Sequence, residues 1–269
     1  MKKSDWYKYG WSLDIKNQSW TEDTENQVEF IIKAMGMSGG ERILDLACGY
    51  GRHSLALARR GFSVVGVDIT KDYVDDANLN AKNESLNAVF IYCDIREINF
   101  SDEFDVVLNL ADGAIGYLEN DGENLKIFDV AARALKPNGK HFIDVCSADH
   151  AERYFPKKSW QIGKKALALS QFEWNKETHC MKYGGWSIPY GKTAEPPQIY
   201  MDDVNPTRLY SIEELRSIYY DRGMKIIASY SNYYGKEAVD EELQLLVYSQ
   251  KLLGTKQRVA KRMNENIDI

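Results

Sequence analysis

Ile43-Leu44-Asp45-Leu46-Ala47-Cys48-Gly49-Tyr50-Gly51-Arg52 is the stretch that decides the fold. A short apolar run carries a carboxylate, and a G-x-G turn then opens a helix over Arg52 to Arg60. Glycine adopts positive φ at no steric cost, so Gly49 and Gly51 let the backbone turn tightly under a ligand. In open α/β sheets, ligands bind at the carboxyl ends of the strands, where strand order reverses. A dinucleotide site wants a third glycine, in the pattern G-x-G-x-x-G. Here that position holds Ser54. Asp45 would also repel a pyrophosphate, whereas it would pair well with an ammonium group. The turn therefore suits a ligand with a cation near it.

Outward from this turn the sequence alternates strand and helix. Phe62 to Val67, Ala88 to Cys93, Phe104 to Leu110 and Lys140 to Val145 read as strands. Lys71 to Asn83 and Glu123 to Leu135 read as helices, the second stopped by Lys136-Pro137-Asn138-Gly139. Glu25 to Met35 is helical, with Val28, Ile31, Ile32 and Met35 on one face. Ser211 caps a helix over Ile212 to Asp221, with Glu214 at the capping-box position. Met224 to Tyr230 and Glu242 to Ser249 are two further strands. Strands separated by helices imply right-handed crossovers. The expected fold is α/β: a Rossmann-like, seven-stranded, mostly parallel sheet with helices on both faces.

The rhythm breaks over Ala148 to Thr207. Lys165 to Trp174 and Thr178 to Ile188 read as paired strands, and Pro189 to Pro206 as loop. A structureless stretch of that length does not fit a compact domain. We expect one domain over residues 1–269, with an N-terminal cap over 1–35 and an inserted antiparallel β lid over 148–207 covering the active site. The charged tail, Lys256 to Ile269, reads as frayed or loosely helical.

Two more carboxylates end consecutive strands. Asp68 can accept two hydrogen bonds from a ribose diol, and Asp94 can accept from the exocyclic amine of a purine. Adenine, ribose and an amino-acid ammonium occur together in S-adenosylmethionine (SAM). The pieces ILDLACGYGRHS, VVGVDIT, YCDIREI, FDVVLNL and LKPNGKHFIDV stand in an order and spacing that resemble the class I SAM-dependent methyltransferases, over about Glu41 to Val145. RLYSIEELRSIYYDRGMKII resembles the closing helix and sixth strand of the small-molecule members.

The resemblance implies roles residue by residue. Asp45 would anchor the methionine ammonium, directly or through water, and Gly49 and Gly51 would let the turn pass under the ligand. Asp68 would hold the ribose hydroxyls and Asp94 the adenine amine, with Ile69 and Ile95 packed on the two ring faces. Asn109 and Leu110 would border the methionine and the transferred methyl through their backbone. One departure is visible: Ala47 stands where the family usually has the first glycine of the turn.

The acceptor should lie beyond the sulfonium, bordered by Ala111 to Tyr117, Ser147 to Tyr154 and the aromatic N-terminus with Trp6, Tyr7, Tyr9 and Trp11. Asp112 and His150 are candidate bases by position, and Tyr117 could orient an acceptor. Asp149 is a further positional candidate. His53, His141 and His179 earn no role. Base-modifying relatives carry N-P-P-[YFW] or D-P-P-Y after the fourth strand, whereas here the sequence is Asn109-Leu110-Ala111-Asp112. LNLADGAIGYLENDGENLKIF instead resembles small-molecule methyltransferases. The expected activity is methyl transfer from SAM to a small polar molecule, with nitrogen favoured as acceptor atom. O-methylation, a peptide end as acceptor, a nicotinamide oxidoreductase and a non-catalytic scaffold are the competing readings.

Composition agrees with the class. The chain has 269 residues, 44% of them hydrophobic, with 34 Lys+Arg against 40 Asp+Glu and a net charge of -6. That balance argues against a nucleic-acid partner held by a basic face. No run approaches the ~18 apolar residues of a membrane span. Cys48, Cys93, Cys146 and Cys180 form no C-x-x-C pair, so a metal site has no sequence support. The expected location is the cytoplasm, as a monomer or homodimer.

Overall fold

The computed structural model describes residues 3–18, 21–163, 166–193 and 201–253. The deciding stretch forms strand β1 (Arg42–Leu46), a turn, and helix α2 (Arg52–Arg59). Helix α1 (Thr24–Met35) precedes them. Strand β2 (Ser63–Asp68), helix α3 (Lys71–Asn83), strand β3 (Ala88–Tyr92), strand β4 (Phe104–Asn109) and helix α4 (Asp121–Ala134) continue the alternation. Strand β5 (Leu135–Cys146) is longer than the sequence suggests. Its pairing with β4 jumps from Leu135 to Lys140, so Lys136-Pro137-Asn138-Gly139 forms a bulge inside one strand. Asn138 takes φ 63° there.

A short helix, α5 (Ala148–Tyr154), comes next, where no helix was expected. Ser147 caps it by accepting from the His150 N–H. Strands β6 (Lys157–Ile162), β7 (Ala166–Asn175), β8 (Cys180–Pro189) and β9 (Thr207–Arg208) then form a separate four-stranded antiparallel sheet. The chain closes the main sheet with α6 (Ile212–Asp221), β10 (Met224–Tyr230) and β11 (Gln244–Lys251). The tail read as Lys256 to Ile269 lies outside the described residues.

The seven-stranded sheet has the order β10-β11-β5-β4-β1-β2-β3. All pairs are parallel except those made by β11, which runs antiparallel to both β5 and β10. Strand order reverses between β1 and β4, which places a crevice at their carboxyl ends. Strand side chains alternate between two apolar layers. Ile43, Val106 and Leu108 join Val28, Ile31 and Leu57 of α1 and α2. Leu44, Leu46 and Val107 join Ile127, Phe128, Leu215 and Tyr219 of α4 and α6. The doubly buried strands explain why the sequence shows continuous apolar runs rather than alternation.

Candidate active site

The loops at the carboxyl edge of the sheet surround a cavity of about 480 Å³. Its floor is the turn after β1. Ala47, Gly49 and Gly51 have φ of 56°, 58° and 76°. The left-handed backbone costs a non-glycine residue about 1–2 kcal/mol, so Ala47 holds a conformation glycine would adopt freely. The turn is tied to the neighbouring strand: the Gly49 N–H donates to Asp68 Oδ2 at 2.8 Å, and the Thr70 N–H donates to Asp68 Oδ1 at 2.8 Å. Burial raises the Asp68 pKa against these backbone hydrogen bonds. Asp68 itself borders the cavity, where its carboxylate can accept from a ligand hydroxyl. Gly51 faces the core, where a Cβ would come within 2.6 Å of the Phe90 ring.

Asp45 lies behind the turn rather than in the cavity wall. It is buried, accepts from the Ser54 hydroxyl at 2.6 Å, and burial pushes its pKa up to about 7. Arg52, which sequence reasoning passed over although it ends the motif, borders the cavity. Its Nη1 donates to Thr24 Oγ1 and Gln27 Oε1, both at 2.7 Å.

At the end of β3, Asp94 and Ile95 border the cavity as well. Asp94 is gripped by Arg96, whose Nη2 and Nε donate to it at 2.6 and 3.0 Å. Burial works to raise the Asp94 pKa, but the hydrogen bonds from Arg96 hold it below the ordinary carboxylate value. Arg96 also reaches Glu119, Glu123 and the Tyr7 hydroxyl, while Tyr7 donates to Glu119 at 2.7 Å. The N-terminal segment is thereby fastened across the cavity, with Tyr7, Trp11 and Ile15 in its wall. Tyr9, also expected there, is exposed.

The opposite end is built by the loop after β4. Ala111, Asp112, Gly113 and Ala114 all take positive φ, from 51° to 68°. Four consecutive left-handed residues, three with a Cβ, cost about 1–2 kcal/mol for each non-glycine member and persist only where surroundings impose them. The Asp112 N–H donates to the Asp144 carbonyl at 2.7 Å, and the Ile115 N–H to the Asp112 carbonyl at 2.8 Å. Leu110, Asp112 and Tyr117 all border the cavity. The Tyr117 hydroxyl donates to Asp112 Oδ2 at 2.8 Å. Burial pushes the Asp112 pKa up to about 6, with Tyr117 opposing and the Asp144 charge adding to the rise. Trp11 stacks on Tyr117 at 6.1 Å between ring centroids, and Trp6 lies 5.1 Å from the same ring. Tyr183 of β8 closes this wall from the second sheet.

Not every expected residue meets the cavity. Asn109 is fully buried and turned into the core. His150 lies elsewhere because α5 turns it away: its Nδ1 is 2.9 Å from the Asp240 carbonyl and its ring packs on Tyr154 and Phe155. Asp149 accepts from the Ile212 N–H and so joins α5 to α6. Cys48 borders the cavity as a free thiol.

Comparison with known proteins agrees with this architecture. Residues 37–199 match the family model described as "Methyltransferase domain". The Bacillus subtilis (strain 168) protein YqeM, named as a methyltransferase, is 33% identical over 156 residues, 51% of this chain and 62% of its own. A ubiquinone biosynthesis O-methyltransferase from Alkalilimnicola ehrlichii is 30% identical over 115 residues, 42% of this chain and 44% of its own. The alignments thus span about half the length of these relatives. Among solved structures, the CcbJ methyltransferase from Streptomyces caelestis superposes with a TM-score of 0.69 at 14% identity, over 93% of this chain and 96% of that one. The sugar N-methyltransferase KedS8 from Streptoalloteichus sp. superposes at 0.62 with 15% identity, over 90% and 93%. These two share the fold. Sheet order, the crevice at the strand reversal and the match over more than half the chain converge: the protein belongs to the methyltransferase domain family.

Proposed function

We propose that the protein transfers a methyl group from SAM to a small polar molecule, with nitrogen as the acceptor atom. The observation that carries the acceptor assignment is the half-buried Asp112–Tyr117 pair, set in an aromatic wall at the far end of the cavity from Asp68. The residues at the near end fit the methyl donor. Asp68 offers a cavity-bordering carboxylate to a ribose diol, Ile69 and Ile95 offer apolar surface to a purine, and Asp94 borders the adenine end. Arg52 would face the carboxylate of the methionine part, with Asp45 behind the turn compensating the ammonium.

When bound, SAM supplies an electrophilic methyl on a sulfonium. The chain's own residues then have two tasks. Holding the acceptor in line and excluding water supply much of the rate. A protonated amine must also lose its proton before its lone pair can attack. Asp112 is placed to take it, and a pKa near 6 leaves it mostly ionised at neutral pH yet basic enough to accept. The faces of Trp11 and Tyr117, backed by Trp6, favour a cationic amine as it arrives. An aliphatic hydroxyl is far less acidic than an ammonium, and a carboxylate with a pKa near 6 is too weak a base to activate it.

The test is S-adenosylhomocysteine (SAH) formation from SAM with matched panels of small primary amines and alcohols. Turnover should appear with amines. Asp112→Asn should lower kcat about a hundredfold or more, within the usual range for loss of a general base, while SAH affinity stays within threefold. Turnover with alcohols alone would overturn the nitrogen assignment.

A further inference from the structure

His141 lies in the middle of β5, fully buried, between Tyr219 of α6 and Asn109 at the end of β4. Its Nε2 is 2.9 Å from Asn109 Oδ1, and its Nδ1 is 3.2 Å from the Tyr219 hydroxyl. Asn109 Nδ2 lies 2.9 Å from the Gly113 carbonyl and 3.4 Å from that of Leu46. Both of those partners are acceptors, so the amide nitrogen must face them and Oδ1 must face His141. Oδ1 can only accept, so Nε2 carries the proton. The neutral ring then accepts at Nδ1 from the Tyr219 O–H. One proton arrangement satisfies every member: Tyr219 donates to His141, His141 to Asn109, and Asn109 to the left-handed loop.

We propose that His141 is a positioning residue for the methyl-transfer end of the site. Through Asn109 it holds the strained Ala111–Ala114 segment, and with it Asp112, in the geometry that borders the cavity. The loop requires such a hold. Its backbone is unfavourable by itself, and Asn109 is the side chain that reaches the Gly113 carbonyl at its centre. Gly113 is tightly seated, since a Cβ there would lie within 2.6 Å of Asn109. An apolar residue at 141 would fill the same space, yet it would leave Asn109 Oδ1 without a donor and free that carboxamide to rotate. Burial keeps the ring neutral, with a pKa near 3, so the hold is insensitive to pH across the working range.

The proposal rests on the reading of this loop as the acceptor end, so its test separates the two. In wild type, 15N NMR of the imidazole should show the neutral Nε2–H tautomer from pH 5 to 8. The Nδ1–H tautomer would overturn the proposal without any variant. His141→Leu should weaken SAH binding at least tenfold in calorimetry and speed hydrogen exchange of the Asp112 amide at least a hundredfold. His141→Gln, whose carboxamide N–H can replace Nε2–H, should restore both to within about threefold of wild type. His141→Leu with wild-type affinity and wild-type Asp112 exchange would overturn the role. If wild type itself binds no SAH, the functional reading fails, and Asp112 exchange alone still decides the role of His141.

Discussion

The fold buries Asp45 fully and Asp112 partly, and burial raises both carboxylates, to about 7 and about 6. A group whose pKa is higher in the folded than in the unfolded chain stabilises the fold below its unfolded pKa and loses that contribution as pH rises through the folded value. Between pH 5 and 8 the protein should therefore lose stability through these two groups. Asp94 and Glu119 act in the opposite sense, being held low, and their contribution is lost only on acidification below about 4.5. Asp45→Asn should flatten the decline in Tm between pH 5 and 8, in melts without ligand. A variant with the same decline as wild type would mean that Asp45 is ionised throughout. The sequence showed that Asp45, Asp68 and Asp94 stand at three neighbouring strand positions. It did not show that Asp94 is already claimed by Arg96 or that Asp45 stands behind the wall, because both facts depend on side-chain direction across non-local contacts.

Among the elements, legibility followed burial and local signals. α3 and α6 match their expected bounds, and β10 does as well. Their apolar patterns are strong, and the Ser211–Glu214 capping box is complete in the structure. Helix α5 escaped because seven residues, three of them charged and one histidine, show no periodicity. Strand β6 escaped because it is an edge strand that begins Lys157-Lys158 and is exposed along almost its whole length. What periodicity could not show at all is the contact between elements that shapes the acceptor end. The Arg208 N–H of β9 donates to the Gly116 carbonyl at 2.9 Å, and a Cβ at Gly116 would run into the Arg208 carbonyl oxygen. Gly116 also has φ 89°. Gly116→Ala should thus cost about 3 kcal/mol or more in urea unfolding, since left-handed strain and a backbone clash add. A loss below about 1 kcal/mol would show that the second sheet can shift without cost.

The whole molecule divides its work between a core common to the family and two additions. We propose that the N-terminal segment serves as a cap and the four-stranded sheet as a lid, with Tyr7, Trp11 and Tyr183 their contributions to the cavity wall. The cap is pinned from several directions. Tyr73 donates to the Ser12 carbonyl at 2.9 Å, Lys16 pairs with Asp76 at 2.6 Å, and Tyr7 meets Glu119. Surface ion pairs of this kind contribute little singly, so the aromatic contacts should dominate closure. The double variant Tyr7→Phe with Trp11→Ala should raise the dissociation rate of SAH about fivefold or more, by loss of the Glu119 hydrogen bond and of the Trp11 indole over Tyr117. An unchanged rate would mean that the cap does not gate the site.

We propose that the turn after β1 and the carboxylate after β2 together hold the nucleoside of SAM. Asp68 both anchors Gly49 and borders the cavity, so its removal should damage the site twice. Isothermal titration of SAH onto wild type and Asp68→Ala tests this most directly. Binding should be saturable at one site per chain and weakened at least tenfold by the substitution. No saturable binding to wild type, or equal affinity in the two proteins, would contradict it.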